Sequence, residues 1–340
     1  MRDARARRRF ARNRGAMAGA LLIAALVVFA VLGPALARHD PYASDFARGA
    51  TADGLPVGPS AEFWLGTDRL FRDQLARLAH GARLSLVVAV AATAISTVLG
   101  ALVGIASGWY EGSRGLRVPW ASVAGFGGAY VALIRGAPRA AAGLALAAVA
   151  LAIAAAFAPR ARALEGPRLN ADHALMRLVD VGLSFPFLLL VMALGAALDK
   201  TSVGTILVTL GLTSWLGTAR VLRAKTLQVR GADYVLAARA LGQPVPRVLA
   251  LHVLPNVMGP LIVIATAQVA QMIVAESALS YLGVGIAPPT PTWGRMLYEG
   301  QDNYAAAPWL LAAPALAILL SVLGFNLVGD GLRDALDPKE

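Results

Sequence analysis

Two carboxylates, Asp180 and Glu276, stand inside long apolar runs of this chain. An ionised group in hydrocarbon is costly, so such residues mark a pathway, a gate or a satisfied pair. Arg177 precedes Asp180 by three residues, on the same face of a helix, and offers it a partner. A structural ion pair and a contact to a transported solute both stand open for Asp180. Glu276 falls near the outer end of its run, where it can line a translocation path or hydrogen-bond to a neighbouring helix. Other chemistry is sparse. His39, His80, His173 and His252 are far apart, and none lies in an H-E-x-x-H pattern. The absence of cysteine excludes disulfides, thiolate metal sites and cysteine nucleophiles. Of the three lysines, Lys200, Lys225 and Lys339, none follows the glycine-rich spacing that cradles phosphates. The chain therefore carries no ATPase site of its own, and no catalytic residue, metal ligand or cofactor is assigned.

The elements that position the two carboxylates are membrane spans. Residues are 57% hydrophobic and 15% charged, against about half and about a quarter in a soluble domain. The net charge is +11, carried almost wholly by arginine. The arginines cluster at the ends of apolar runs, as membrane topology requires, so nucleic acid is not the expected partner. Seven arginines in the first fourteen residues precede the apolar run 16–37. That run is near the ~20 residues needed to cross a bilayer and longer than a signal-peptide core. It reads as a retained first span with a cytoplasmic N-terminus, with cleavage after Ala37 as the alternative.

Residues 1–37 thus form an arginine-rich tail and first span, and 38–83 an extracytoplasmic loop. Leu70, Phe71, Leu75 and Leu78 recur there at helical spacing and predict a short amphipathic helix on the outer face. Residues 84–107 form a second span, with Gly100, Gly104 and Gly108 on one face suited to close helix approach. The remaining expected spans are 176–198, 203–222, 257–279 and 307–328. Between them, 118–134 and 140–158 are apolar enough for two inserted spans within 118–169, or for a hairpin or re-entrant pair. The core region is 84–330, and 331–340 is a cytoplasmic tail. Pro288, Pro289 and Pro291 with Trp293 predict a stiff outer loop with its aromatic at the membrane interface.

The polar island 229–256 between two spans has a pattern too regular for a plain loop. Asp233 is suited to an N-cap, 234–241 to two helical turns, Gly242 to a stop and Pro244 to the exit. This island resembles the coupling (EAA) loop of ABC importer permeases. The resemblance is strengthened by ordered blocks elsewhere: Leu65-Gly66-Thr67-Asp68, Arg72-Asp73, Gly81-Ala82-Arg83-Leu84-Ser85-Leu86, and Met176-Arg177-Leu178-Val179-Asp180 with Phe185-Pro186. Further blocks are Ala275-Glu276-Ser277-Ala278-Leu279-Ser280-Tyr281-Leu282-Gly283, Pro288-Pro289-Thr290-Pro291-Thr292-Trp293-Gly294, and Phe325-Asn326-Leu327-Val328-Gly329-Asp330-Gly331. The nearest resemblance is to C-type permeases of the dipeptide, oligopeptide and nickel uptake group. Residues 121–169 match nothing in that pattern.

The resemblance implies an all-α integral membrane protein of the type I ABC importer permease fold, with six core transmembrane helices plus a two-helix insert. It implies half of an alternating-access pathway in the bacterial inner membrane, with both termini cytoplasmic. The implied solutes are di- or oligopeptides, with nickel or another small solute as the alternative. A membrane-embedded enzyme or an ion-coupled carrier is the rival class. The implied partners are a B-type permease, two ATPase subunits holding ATP and Mg, an extracytoplasmic solute-binding protein and the lipid bilayer. The ATPase would receive the short helix through Asp233, Tyr234, Leu236, Ala237, Ala238, Arg239, Leu241 and Gly242, with Tyr234, Val235, Ala238 and Leu241 as knobs. Two departures matter. The usual Glu of Glu-Ala-Ala is Leu236, with Asp233 or Arg239 as possible substitutes for its charge, and the usual Gly before Arg72-Asp73 is Phe71.

Overall fold

The computed structural model describes residues 2–112, 116–117, scattered positions in 124–147, and 168–169, 171–197 and 202–336. The helices are α1 (Arg2–Arg12), α2 (Arg14–Leu36), α3 (Gln74–Tyr110), α4 (Ala171–Ser184), α5 (Phe187–Ala197), α6 (Val203–Arg230), α7 (Asp233–Ala240), α8 (Val245–Val248), α9 (Leu254–Tyr281), α10 (Trp293–Gly300) and α11 (Trp309–Leu336). A π-helical turn, Leu249–Val253, joins α8 to α9. Two short strands, β1 (Leu116–Arg117) and β2 (Arg168–Leu169), pair antiparallel and bring the two ends of the 118–167 stretch together. The two expected inserted spans lie outside the described residues, apart from isolated positions.

Among the described residues, five helices are long and apolar enough to cross a membrane: α2, α3, α6, the continuous Val245–Tyr281 and α11. The expected single span 176–198 is instead broken. Its two halves, α4 and α5, meet at 94°. Pro186 supplies the reason, because it donates no backbone hydrogen bond and pushes Phe185 out of the helical region. Counting that pair as one gives six spans.

The separate amphipathic helix expected near 70–78 does not exist. Asp73 accepts hydrogen bonds from the amides of Leu75 and Ala76, at 2.8 and 3.2 Å, and starts a single 37-residue helix. At 1.5 Å per residue α3 is about 55 Å long, well beyond a ~30 Å hydrocarbon layer. A helix of that length extends past the hydrocarbon unless strongly tilted, and the residues from Gln74 to Arg83 are its opening turns, continuous with the expected span. Leu70 and Phe71 lie in the preceding loop, and Phe71 adopts φ +58. The position where the resembling permeases carry Gly is thus a left-handed one, which a bulky side chain fills only under strain.

Gly100, Gly104 and Gly108 do bring two helices together. A Cβ on Gly104 would lie 2.5 Å from the Ala219 carbonyl oxygen, and one on Gly108 would lie 2.8 Å from that of Arg223. The rising pairs 100–218, 104–222 and 108–226 make α3 and α6 parallel. α9 runs antiparallel to them, since Glu276 meets Ser85 near the start of α3 and Gln268 meets Ser96 farther along. The main core fills the space between α3, α6, α9 and α10, with Val88, Leu210, Ile273, Leu279 and Trp293 fully enclosed.

These directions sort the ends of the helices. Tyr110, Arg230, α7, the start of α9 and the end of α11 lie at one end of the bundle. The 38–73 loop, the start of α3, α10 and the start of α11 lie at the other. α11 continues to Leu336, so the tail expected from 331 onward begins as helix.

Candidate functional site

α7 is an eight-residue helix that follows the long α6 and precedes α8 and α9. Ala232, not Asp233, is its N-cap, and it makes no side-chain cap. Asp233 is the first helical residue, where its charge faces the positive helix end. The stop at Gly242 is as expected. It takes φ +75, the Gly242 amide donates to Arg239 O at 3.0 Å and the Gln243 amide to Ala238 O at 3.1 Å. That pattern is a Schellman closure, and it ends the helix sharply before Pro244 opens α8.

The faces of α7 divide differently from the expected knobs. Val235 and Ala238 point inward and pack with Trp109, Leu222, Val248, Val253, Val257 and Leu261. They fasten α7 to its own chain and are not available to a partner. Arg239 lies over the Trp109 ring at 5.5 Å, so its charge is also turned toward α3. Asp233, Tyr234, Leu236, Ala237, Arg239, Leu241 and Gly242 are exposed, Arg239 despite its contact with the Trp109 ring. Tyr234, Leu236 and Leu241 are 46%, 47% and 81% exposed, an unusually apolar outer face for two turns of helix. His252 stands beside Tyr234, with ring centroids 6.2 Å apart, while its backbone carbonyl accepts from Asn256.

The end of α3 beneath α7 is tied by two arginines of α6. Arg230 donates to the carbonyls of Gly108 and Glu111, at 3.3 and 2.8 Å. Arg223 bonds both Asp172 oxygens, at 2.7 and 2.8 Å, and Glu111 at 2.9 Å. Asp172 also accepts from Ser107. Three helices therefore converge on Arg223, next to the base of α7. Nothing in the spacing of Asp172 and Arg223, fifty-one residues apart, signals this pairing.

The two intramembrane carboxylates have different surroundings. Asp180 pairs with Arg220 of α6 at 2.5 Å, not with Arg177 on its own helix, and both partners are about half exposed. The pairing crosses helices because Arg220 reaches across the α4–α6 contact, which the sequence spacing could not show. Glu276 is completely buried and accepts from Ser85 at 3.0 Å and Ser280 at 2.8 Å. The Ser85 bond crosses from α3 to α9, whereas the Ser280 bond stays within α9. Trp293 is likewise buried rather than interfacial: its indole N–H donates to Leu78 O at 3.3 Å, and its packing seats α10 against α3.

At the end opposite α7 lies a buried ion network that the residue pattern did not reveal. Arg72 bonds Asp68 at 2.7 Å and Glu299 at 2.9 Å. Arg77 reaches Asp68 at 3.2 Å and Glu299 at 2.8 Å, and Arg295 reaches Glu299 at 3.1 Å. Two carboxylates and three guanidiniums thus join the 38–73 loop, α3 and α10. The sole sequence signal was that Asp68 and Arg72 fall within recognised blocks.

Comparison with known proteins agrees with this architecture. Residues 166–340 match the model of the binding-protein-dependent transport system inner membrane component family. Residues 4–52 match the N-terminal transmembrane domain of oligopeptide transport permease C. The di/tripeptide transport system permease protein of Pseudomonas aeruginosa (strain UCBPP-PA14) is 36% identical over 332 residues, covering 97% of this chain and 90% of that protein. The oligopeptide transport system permease protein of Bacillus subtilis (strain 168) is 32% identical over 97% of this chain and 88% of its own length. The dipeptide permease of the same organism is 35% identical, covering 98% of this chain and 84% of its own length. These alignments span nearly the whole chain, so the 121–169 stretch falls within their reach. With at least five membrane-length helices among its described residues, the chain belongs to the multi-pass inner-membrane permease components of binding-protein-dependent transport systems.

Proposed function

We propose that this permease imports di- or oligopeptides as one half of a two-subunit pathway, driven by ATPase subunits that dock on α7. The observation that carries this reading is α7 itself. It is a sharply closed helix with an exposed apolar face, held to its own bundle by Val235 and Ala238. A chain without a phosphate-binding loop needs such a joint to receive work from another protein. Peptides are the solutes named for the similar permeases above. A related permease would complete the pathway, and a solute-binding protein would approach the opposite end, where the ion network stiffens α10 and the outer loop. In this reading α7 and both termini face the cytoplasm, in keeping with the arginines at those helix ends.

Docking at α7 rests on shape and apolar contact, because Leu236 stands where the resembling permeases carry a carboxylate. Asp233 and Arg239 are the exposed charges that α7 itself can contribute. Glu276 is assigned to holding the outer gate through Ser85, and Asp180 with Arg220 to bracing the broken α4–α5 span beside the pathway.

The test uses the complex reconstituted with its ATPase subunits. Ala237→Trp should lower ATP-driven uptake by roughly 5- to 150-fold, taking the cost of a bulky group at a packed joint as about 1–3 kcal/mol. Asp233→Lys should have the smaller effect. If only the charge reversal uncouples transport, apolar shape does not hold the joint. Failure of ATPase subunits to co-purify with the chain from mild detergent would remove the importer reading. Mass spectrometry of the ligand carried by the solute-binding protein would decide between peptides and other solutes.

A further inference from the structure

The N-terminal helix α1 takes part in none of these roles. Arg2–Arg12 holds six arginines against one aspartate. A corner at Asn13, with φ −79 and ψ 107, separates it from α2. Asn13 fixes that corner from both sides: its Oδ1 accepts from the Ala16 amide at 3.1 Å, and its Nδ2 donates to Asp334 of α11 at 3.2 Å. Phe10 is half-buried beside Gly331, where an added Cβ would lie 3.4 Å from its ring. α1 is therefore seated on the end of α11, with Arg7, Arg8, Arg12 and Arg14 exposed.

What surrounds that seat follows from α2. Only Ala16, Gly19, Ala30 and Gly33 of this helix are buried. Leu21, Val27, Val28, Val31, Leu32 and Leu36 are exposed, so α2 lies at the perimeter of the bundle with an apolar face that hydrocarbon would cover. α1 begins where that apolar run stops, at the level where acyl chains give way to headgroups. α7 by contrast packs on the cluster around Trp109 and Leu222, away from the α2–α11 pair.

From this placement we propose that α1 is a binding surface for the phosphate headgroups of anionic phospholipids. Guanidinium groups match phosphate oxygens in a bidentate fork. A row of them beside a lipid-facing span meets those oxygens without leaving the bundle. Each exposed arginine adds roughly fivefold to the preference for an anionic surface. The proposal stands independently of the transported solute and of docking at α7.

The chain has no cysteine, so Ala11→Cys gives a unique site on α1 for an environment-sensitive fluorophore. The labelled full chain would be reconstituted into vesicles of phosphatidylcholine, alone or mixed with phosphatidylglycerol. Emission should shift to the blue, and trypsin cleavage within α1 should slow, only with phosphatidylglycerol. Replacing Arg7, Arg8 and Arg12 together by Gln should lower the docked-to-free ratio by roughly a hundredfold, and replacing them by Lys should retain most of it. Equal emission in both vesicles, or docking by the Gln variant equal to that of the parent, would overturn the proposal. A shift that appears in pure phosphatidylcholine only when ATPase subunits are added would overturn it too, naming a protein surface as the occupant.

Discussion

A methyl group added at Gly104 would sit 2.5 Å from the Ala219 carbonyl oxygen and 2.8 Å from the Leu222 Cβ. Backbone cannot give way there as a flexible side chain can, so α3 and α6 must part along their contact. Gly104→Ala should destabilise the protein by about 1–3 kcal/mol. Gly217 lies in the interior of α6 with nothing within 4 Å of its position. Gly217→Ala should therefore be neutral or stabilising by up to ~1 kcal/mol, through helix propensity alone. Thermal unfolding in detergent separates the two, and equal melting temperatures would contradict the packing account. Glu276 gives a second comparison at this scale. Gln keeps an acceptor for Ser85 and Ser280, whereas Leu strands two buried hydroxyls at a cost of about 1–3 kcal/mol. Glu276→Gln should assemble normally with lowered uptake, and Glu276→Leu should also unfold earlier. Normal uptake by the Gln variant would remove Glu276 from the gate.

Between elements, the joints are polar at the bundle ends and apolar along its length. At the end opposite α7, the ion network joins the 38–73 loop, α3 and α10 through Asp68, Arg72, Arg77 and Glu299, all nearly buried. With Arg295 its three guanidiniums already outnumber its two carboxylates, so each carboxylate is needed. Glu299→Gln would leave Arg72, Arg77 and Arg295 crowded around one carboxylate fewer, and should cost about 3–5 kcal/mol. A melting temperature unchanged by Glu299→Gln would show that the network is dispensable. At the other end, Arg223 gathers Asp172, Glu111 and, through Asp172, Ser107. α7 rests beside that knot, so a push on α7 meets the convergent ends of α3, α4 and α6 rather than a loose loop.

Across the whole molecule, α7 and the ion network lie at opposite ends of the bundle, so the proposed docking role and the stability of the network can be varied separately. Glu299→Gln should weaken folding yet leave ATPase subunits bound to the chain that remains folded. Leu241→Asp, on an exposed side chain, should leave the melting temperature within about 0.5 kcal/mol equivalent and reduce ATPase co-purification. Because the sites share no partner, their stability effects should add within about 0.5 kcal/mol in the double variant. A larger coupling, measured by a double-mutant cycle, would show that the ends communicate through the fold's stability.

Much of this protein could be read from residue order. Apolar runs of bilayer length, arginines at their ends and the glycines at 100, 104 and 108 announce spans and a close helix contact, because hydrocarbon thickness and backbone approach act on local sequence. The stop at Gly242 was also legible, since a left-handed helix closure is a local demand. The break at Phe185-Pro186 was written in the chain but hidden within an apolar run, where hydropathy alone sees one span. Other features had no local signature. Val235 faces inward and Leu236 outward because of where Trp109 and Val253 lie in space. Asp180 finds Arg220 rather than Arg177, and Asp68 joins Arg77 to Glu299, because ion pairs form between neighbours in space. Periodicity and charge thus state which segments enter the membrane and which short helix stands outside it. Which face of that helix is free, and which charges neutralise one another, depends on distances that exist only once the helices have packed.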